Sequence, residues 1–198
     1  MAGLKTFLGE LSLHVGVTPA ALYERQRVLV NLGLIKTRSG RGPGSGATFT
    51  AENLAALVIS ILATDSLSEV DQRVVALCNA PPAQISQRTG AGREKDQKTH
   101  AEWVKLGKPT FQSEVARVLA GQSPLWQGDD LKGHSHEIRV TRMFIGEIDQ
   151  DKRNFSYSSR TPGRAPHILI KAVIDDVTLG ELIRFTKLSL EELQEDQE

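Results

Sequence analysis

The sequence predicts an α+β fold, and three observations lead to this prediction. Apolar residues recur at helical spacing through much of the first 77 residues. Three segments of the second half have the β-branched, aromatic or alternating pattern that is typical of strands. Apolar residues make up 39% of the 198 residues and charged residues 24%, as in globular proteins, and no apolar run reaches the ~18–20 residues that a membrane span needs.

Two short helices are predicted at the start of the chain. Residues 4–15 place leucine, phenylalanine and valine at helical spacing, and Gly16 is expected to end this helix in a left-handed conformation. Thr18 and Pro19 are suited to the N-cap and the first position of a second helix, which continues to about Leu32. We expect the leucines of this second helix to face inward.

A hairpin and a third helix are predicted next. Residues 36–50 are rich in glycine and contain one proline, so they cannot form a helix or the interior of a central strand. We predict a β-hairpin with one arm over residues 34–38 and the other over residues 47–50. Thr50 then caps a third helix over residues 51–64, which has the strongest amphipathic pattern of the chain.

The rest of the chain is predicted to form a short helix, a linker and a small α+β unit. Residues 66–77 form the short helix, and the proline- and glycine-rich residues 79–110 form a linker or a long loop. The elements expected after it are a helix over 111–119, strands over 138–148, 154–159 and 167–174, and helices that begin with capping boxes at Thr178 and Ser189. The predicted segments are therefore 1–66, 67–110 and 111–198.

The charges are separated along the chain although they sum to zero. Residues 1–50 hold six basic and two acidic groups, whereas residues 143–198 hold seven basic and eleven acidic groups. A basic N-terminal part with an acidic C-terminal part is typical of chains that contact a polyanion at one end. The single cysteine, Cys78, excludes an intramolecular disulfide and favours a reducing, cytoplasmic location.

Residues 10–35, ELSLHVGVTPAALYERQRVLVNLGLI, resemble the helix-turn-helix of bacterial and phage winged helix-turn-helix regulators. The order helix, turn, helix, hairpin, helix is similar to that of MerR-type regulators and phage excisionases, and it covers the first third of the chain. The resemblance implies an N-terminal winged helix-turn-helix followed by a small mixed α+β domain. Two features depart from the pattern: no full helix precedes the pair, and Gln26 stands where an apolar residue usually supports the core.

The resemblance also implies which residues bind DNA, because the second helix would enter the major groove and the hairpin would be the wing. Arg27 is suited to a guanine edge, Glu24 to a cytosine amino group, and Thr18 at the helix N-terminus to a phosphate. Arginines in a slender wing are suited to a narrow minor groove. The expected DNA-binding residues are Thr18, Ala20, Tyr23, Glu24, Arg27, Lys36, Arg38 and Arg41.

These features predict a cytoplasmic bacterial or prophage transcriptional regulator that binds specific double-stranded DNA as a homodimer and represses transcription. No catalytic constellation, metal site or cofactor is predicted from the sequence. The C-terminal part is expected to make the dimer or to bind an effector or a protein partner. Two alternatives stay open: a phage architectural or packaging protein, of the excisionase or small terminase type, and a helix-turn-helix adaptor that binds only proteins.

Overall fold

The computed structural model of the chain describes residues 3–38, 46–67, 70–89, 92–95, 107, 109–123, 136–141, 145–150, 153–158 and 171–195. These ranges contain six helices and two sheets, so the predicted α+β class is confirmed. No helix within them is both long enough and apolar enough to cross a membrane.

The helices are α1 (Leu4–Val15), α2 (Pro19–Asn31), α3 (Ala51–Ala63), α4 (Val70–Cys78), α5 (Phe111–Leu119) and α6 (Asp176–Glu195). The predictions for α1, α3 and α5 are confirmed to within one residue. Threonine hydroxyls cap three of the helices, because the side chains of Thr18, Thr50 and Thr110 accept N–H groups of α2, α3 and α5. The strong local caps explain why these boundaries could be predicted.

The strands are β1 (Thr37–Arg38), β2 (Gly46–Ala47), β3 (Pro82–Thr89), β4 (Gly92–Lys95), β5 (His136–Thr141), β6 (Ile145–Gln150), β7 (Arg153–Ser158) and β8 (Lys171–Ile174). The hairpin β1–β2 is a sheet of its own. The other six strands form one antiparallel sheet in the order β4-β3-β7-β6-β5-β8.

Two strand predictions were wrong. Residues 79–110 were predicted as a linker or long loop, but β3 and β4 lie within this range and pair with each other, and β3 also pairs with β7. Pro82 is tolerated because it is the first residue of its strand, where a missing N–H is least costly. The single strand predicted over 138–148 is two strands, β5 and β6, which pair with Ile138 opposite Ile148.

The start of α6 also differs from the prediction. The helix begins at Asp176, before the predicted capping box at Thr178, because the Asp175 carboxylate accepts the Thr178 backbone N–H at 2.9 Å. Ser189 was predicted to start another helix, but it is buried in the interior of α6. One continuous helix therefore replaces the two that were predicted.

One hydrophobic core joins the N-terminal helices to the C-terminal sheet and helix. Three phenylalanines from distant parts of the chain meet in it: Phe7 of α1, Phe49 before α3 and Phe185 of α6. The ring centroids are 4.4 Å apart for Phe7 and Phe49 and 5.8 Å apart for Phe49 and Phe185. The cluster fixes α6 against α1 and against the end of the hairpin.

Candidate nucleic-acid interface

The turn between α1 and α2 brings the two helices together around fully buried leucines. Leu11 of α1 and Leu22 and Leu29 of α2 have no exposed surface. Gly16 ends α1 with a φ of 65°, a left-handed conformation that glycine adopts without strain. Thr18 accepts the Ala21 N–H at 3.3 Å, so the first turn of α2 is held in place and its N-terminus remains exposed.

The outward side of α2 carries most of the residues that were predicted to bind DNA. Thr18, Ala20, Glu24 and Arg27 are exposed, whereas Tyr23 is half-buried. Arg27 Nη1 lies 3.0 Å from Glu24 Oε2. The Lys5 ammonium of α1 lies 5.0 Å from the centroid of the Tyr23 ring, which adds a second cation beside this surface.

The hairpin that follows α2 in the chain presents further cations. Thr37 pairs with Ala47 and Arg38 with Gly46, so the described ladder is shorter than the predicted arms. Lys36 and Arg38 are exposed. Arg41 lies outside the described residues. Leu34 and Ile35 were predicted to start the first arm, but they follow the end of α2 in a turn, in which Ile35 is buried in the core.

Asn53 of α3 holds the root of the hairpin. Its side chain accepts the Lys36 N–H at 2.8 Å, and it donates to the Lys36 carbonyl at 3.0 Å and to the Thr48 carbonyl at 2.9 Å. The side chain is fully buried, so these hydrogen bonds have no competition from water. Asn53 therefore joins both arms of the hairpin to α3, a role that sequence reasoning missed.

We expect Asn53→Asp to weaken the hairpin root. A carboxylate still accepts the Lys36 N–H but cannot donate to the two carbonyls, which would face a buried negative charge. The free energy of unfolding, measured by urea denaturation, should fall by about 2 kcal/mol. Asn79→Asp is the matched control, because the exposed Asn79 side chain makes a single hydrogen bond, at 2.9 Å to the Val75 carbonyl. Equal stability of the two variants would contradict the role of Asn53.

Arg25 fixes the position of α2 on α3, and sequence reasoning missed this residue as well. Its guanidinium donates to the carbonyls of Ser60 at 2.9 Å, Thr64 at 2.8 Å and Asp65 at 3.3 Å. These carbonyls lie at the C-terminal end of α3, where the helix dipole is negative. Burial lowers the pKa of Arg25, and the nearby Asp65 charge opposes this effect.

The sequence did contain a signal for the burial of Arg25. The residue lies three positions after Leu22 and four before Leu29, on the inward side of α2. Gln26, next to it, is also buried, with 7% of its surface exposed. Its Oε1 has no hydrogen-bond partner among the described residues. An apolar side chain would leave no polar atom unpaired at this position. The sequence departs from the resembled proteins at the same position, because Gln26 stands where they usually have an apolar residue.

A second buried polar cluster lies on α5. Glu114 of α5 is fully buried, accepts a hydrogen bond from the Ser123 hydroxyl and lies 3.4 Å from Arg117 Nη1. Burial raises the pKa of Glu114, and the bonds from Ser123 and Arg117 oppose this shift. The cluster ties the residues after α5 back to that helix, which is a structural role.

Metal binding and similarity to known proteins add no further assignment. In the part of the chain that the structure describes, no group of three or more histidine, cysteine, aspartate or glutamate side chains is placed to hold a metal ion. No family model, curated protein or solved structure matches the chain. The candidate interface therefore depends on its own geometry and charge.

Proposed function

We propose that the chain is a sequence-specific DNA-binding transcriptional regulator, in which α1, α2, the hairpin and α3 act as a winged helix-turn-helix. The observation that carries this proposal is the outward side of α2. It combines an exposed, capped N-terminus with Glu24 and Arg27, while the inward side is fixed by leucines and Arg25. A helix anchored in this way can enter a major groove as a rigid body.

The exposed cations of α1, α2 and the hairpin are suited to a polyanion. Lys5, Arg27, Lys36 and Arg38 belong to α1, α2 and the hairpin, and all four are exposed. The Glu24–Arg27 ion pair does not oppose binding strongly, because an exposed pair contributes less than about 1 kcal/mol. Arg27 can exchange Glu24 for a guanine edge or a phosphate at little cost.

In this proposal the protein is encoded by a bacterium or a prophage and acts in the bacterial cytoplasm. It needs no cofactor and catalyses no reaction. A homodimer would present two α2 helices to the two halves of a palindromic operator. Binding at a promoter would exclude RNA polymerase, so the regulator would be a repressor.

Selection of bound duplexes from a random pool, with the full chain as bait, tests the proposal. We expect a palindromic consensus and an affinity for the selected duplex that falls steeply with salt, because phosphate contacts release counterions. A ring of many subunits that binds DNA without a consensus would favour the architectural or packaging alternative. No salt-dependent binding to any duplex would contradict the proposal and favour the adaptor.

Two arginine substitutions should have different effects on DNA binding. Arg27→Ala should weaken binding to the consensus by about 1–3 kcal/mol and relax the preference at one base pair. Arg41→Ala should weaken binding to all duplexes and lower the slope of log K against log salt by about 1. These effects can be measured by fluorescence anisotropy at several salt concentrations.

Lysine variants are the matched controls for these substitutions. Arg27→Lys keeps the charge but loses the two-pronged hydrogen bonding of a guanidinium, so the base preference should relax while the salt slope stays. Arg41→Lys should keep the salt slope of the unsubstituted chain. The roles proposed for these arginines would be contradicted if their alanine variants bound the consensus with unchanged affinity across the salt range.

A further inference from the structure

The helix α6 has two different faces. The inner face is buried in the core and carries Leu179, Leu182 and Phe185. The outer face bears two exposed apolar side chains, Val177 with 68% and Leu188 with 54% of its surface exposed. This face forms part of an open groove of about 640 Å³, whose lining includes Val177, Gly180, Glu181, Arg184, Leu188 and Glu191.

The spacing of these residues is that of a helix-pairing face. Val177, Glu181, Arg184 and Leu188 follow one another at intervals of four, three and four residues, which places them on one side of α6. Apolar residues occupy the two ends of this set, and one acid and one base occupy the middle. The acid, Glu181, also lies with its Oε2 3.3 Å from His14 Nδ1 of α1 in the same chain. We call these four residues the outer stripe.

The outer stripe is complementary to itself when it is reversed. Consider an antiparallel pair of α6 helices whose two-fold axis crosses each helix at the level midway between residues 182 and 183. In this pair Val177 faces the partner's Leu188, and Glu181 faces the partner's Arg184. Each contact occurs twice because the axis repeats it. The pair would bury Val177 and Leu188 of both copies and place Glu181 of each copy beside the partner's Arg184.

We propose that two copies of this chain associate through the outer stripe of α6, in antiparallel orientation about that axis. The charge order favours a second copy because one sequence supplies both halves of the match. An axis through Arg184 would instead bring two arginines together, so the charges also select the register. The overlap is about 12 residues, or about 18 Å of helix, so we expect a reversible dimer and not a permanent one.

The inference names the surface through which the proposed homodimer forms. The biological role of this surface rests on the proposed function as a DNA-binding regulator. None of the expected DNA-binding residues lies on α6. Association is measured on the full chain by sedimentation without DNA, over a range of protein concentrations. We expect the mass to rise with concentration from the 21.7 kDa of one chain towards twice this value.

An exposed leucine provides the first matched comparison. Leu188→Glu should weaken association at least about tenfold, because it puts a charge against the partner's Val177. Leu13→Glu is the control, because Leu13 of α1 is 81% exposed and does not belong to the outer stripe. Both side chains are exposed, so both variants should fold. Equal weakening by both substitutions, or by neither, would overturn the inference.

Charge reversal provides the second comparison. Arg184→Glu puts two acids together and Glu181→Arg puts two bases together, so each single variant should weaken association at least about tenfold. The double variant Glu181→Arg with Arg184→Glu restores opposite charges and should recover most of this loss. Because Glu181 also contacts His14 of its own chain, His14→Ala is the control and should leave association unchanged. With that control unchanged, failure of the double variant to recover association would overturn the antiparallel register.

The two proposals fail in different ways. A chain that stays monomeric at all concentrations but binds a single half-site contradicts the dimer surface and the homodimer, and it supports DNA binding by α2. A chain that pairs through the outer stripe but binds no DNA supports the dimer surface and contradicts the regulator.

Discussion

Replacement of Arg25 by methionine is expected to lower the free energy of unfolding by about 3 kcal/mol or more. The variant keeps much of the aliphatic volume but leaves the carbonyls of Ser60, Thr64 and Asp65 without their donor. A buried polar group that loses its partner costs about 1–3 kcal/mol, and the C-terminal end of α3 also loses a favourable positive charge. The effect is large because one side chain serves several backbone groups.

Arg27→Met is the matched control for this prediction. Arg27 lies two residues further along α2 and is exposed, and its ion pair with Glu24 contributes less than about 1 kcal/mol. Urea denaturation of both variants should show a large loss for Arg25 and a small one for Arg27. A similar midpoint for the two variants would show that the contacts of Arg25 with the end of α3 contribute little to stability.

Gly146→Ala should lower the free energy of unfolding by about 1–3 kcal/mol. A Cβ atom at Gly146 of β6 would lie 2.5 Å from the Cε1 and Cζ atoms of Phe111, far inside van der Waals contact. The Phe111 ring is fully buried, with its centroid 5.3 Å from that of Tyr157, so it cannot move away without disturbing the core. We therefore expect the substitution to loosen the packing of Phe111 of α5 against the sheet.

Gly9→Ala is the control, with an expected effect of opposite sign. Gly9 is exposed in the interior of α1, and a Cβ atom there would meet no heavy atom within 4 Å. Alanine favours a helix interior over glycine by up to about 1 kcal/mol, so this variant should be more stable than the unsubstituted chain. Thermal unfolding of the two variants should move the melting temperature in opposite directions. A loss of stability at both positions would point to a general intolerance of added methyl groups.

The elements that sequence reasoning predicted well are those with local causes. Thr18, Thr50 and Thr110 each cap a helix by accepting the N–H of the residue three positions further along the chain. Gly16 ends α1 directly after its last residue. The strand β3 has a nearby partner, β4, which follows it after two residues, but its other partner, β7, lies about seventy residues further along the chain and could not be recognised from the local sequence. The prolines and glycines around it favoured a loop instead.

The same distinction applies to the candidate interface. The outward direction of Glu24 and Arg27 follows from the helical period of α2, so it could be predicted. The roles of Arg25 and Asn53 could not, because each depends on carbonyl groups of residues distant in sequence. Sequence patterns indicated which side of α2 faces solvent, and tertiary contacts determine how that side is held.

The phenylalanine cluster packs α1, the end of the hairpin and α6 against one another. Phe185 contacts Phe7 and Phe49 from the inner face of α6, while the outer face of the same helix is the proposed contact between copies. In such a dimer the contacts of Phe7, Phe49 and Phe185 would hold each α2 helix at a fixed distance from the α6 contact. The operator should therefore tolerate changes of base more readily than the insertion of a single base pair between its halves.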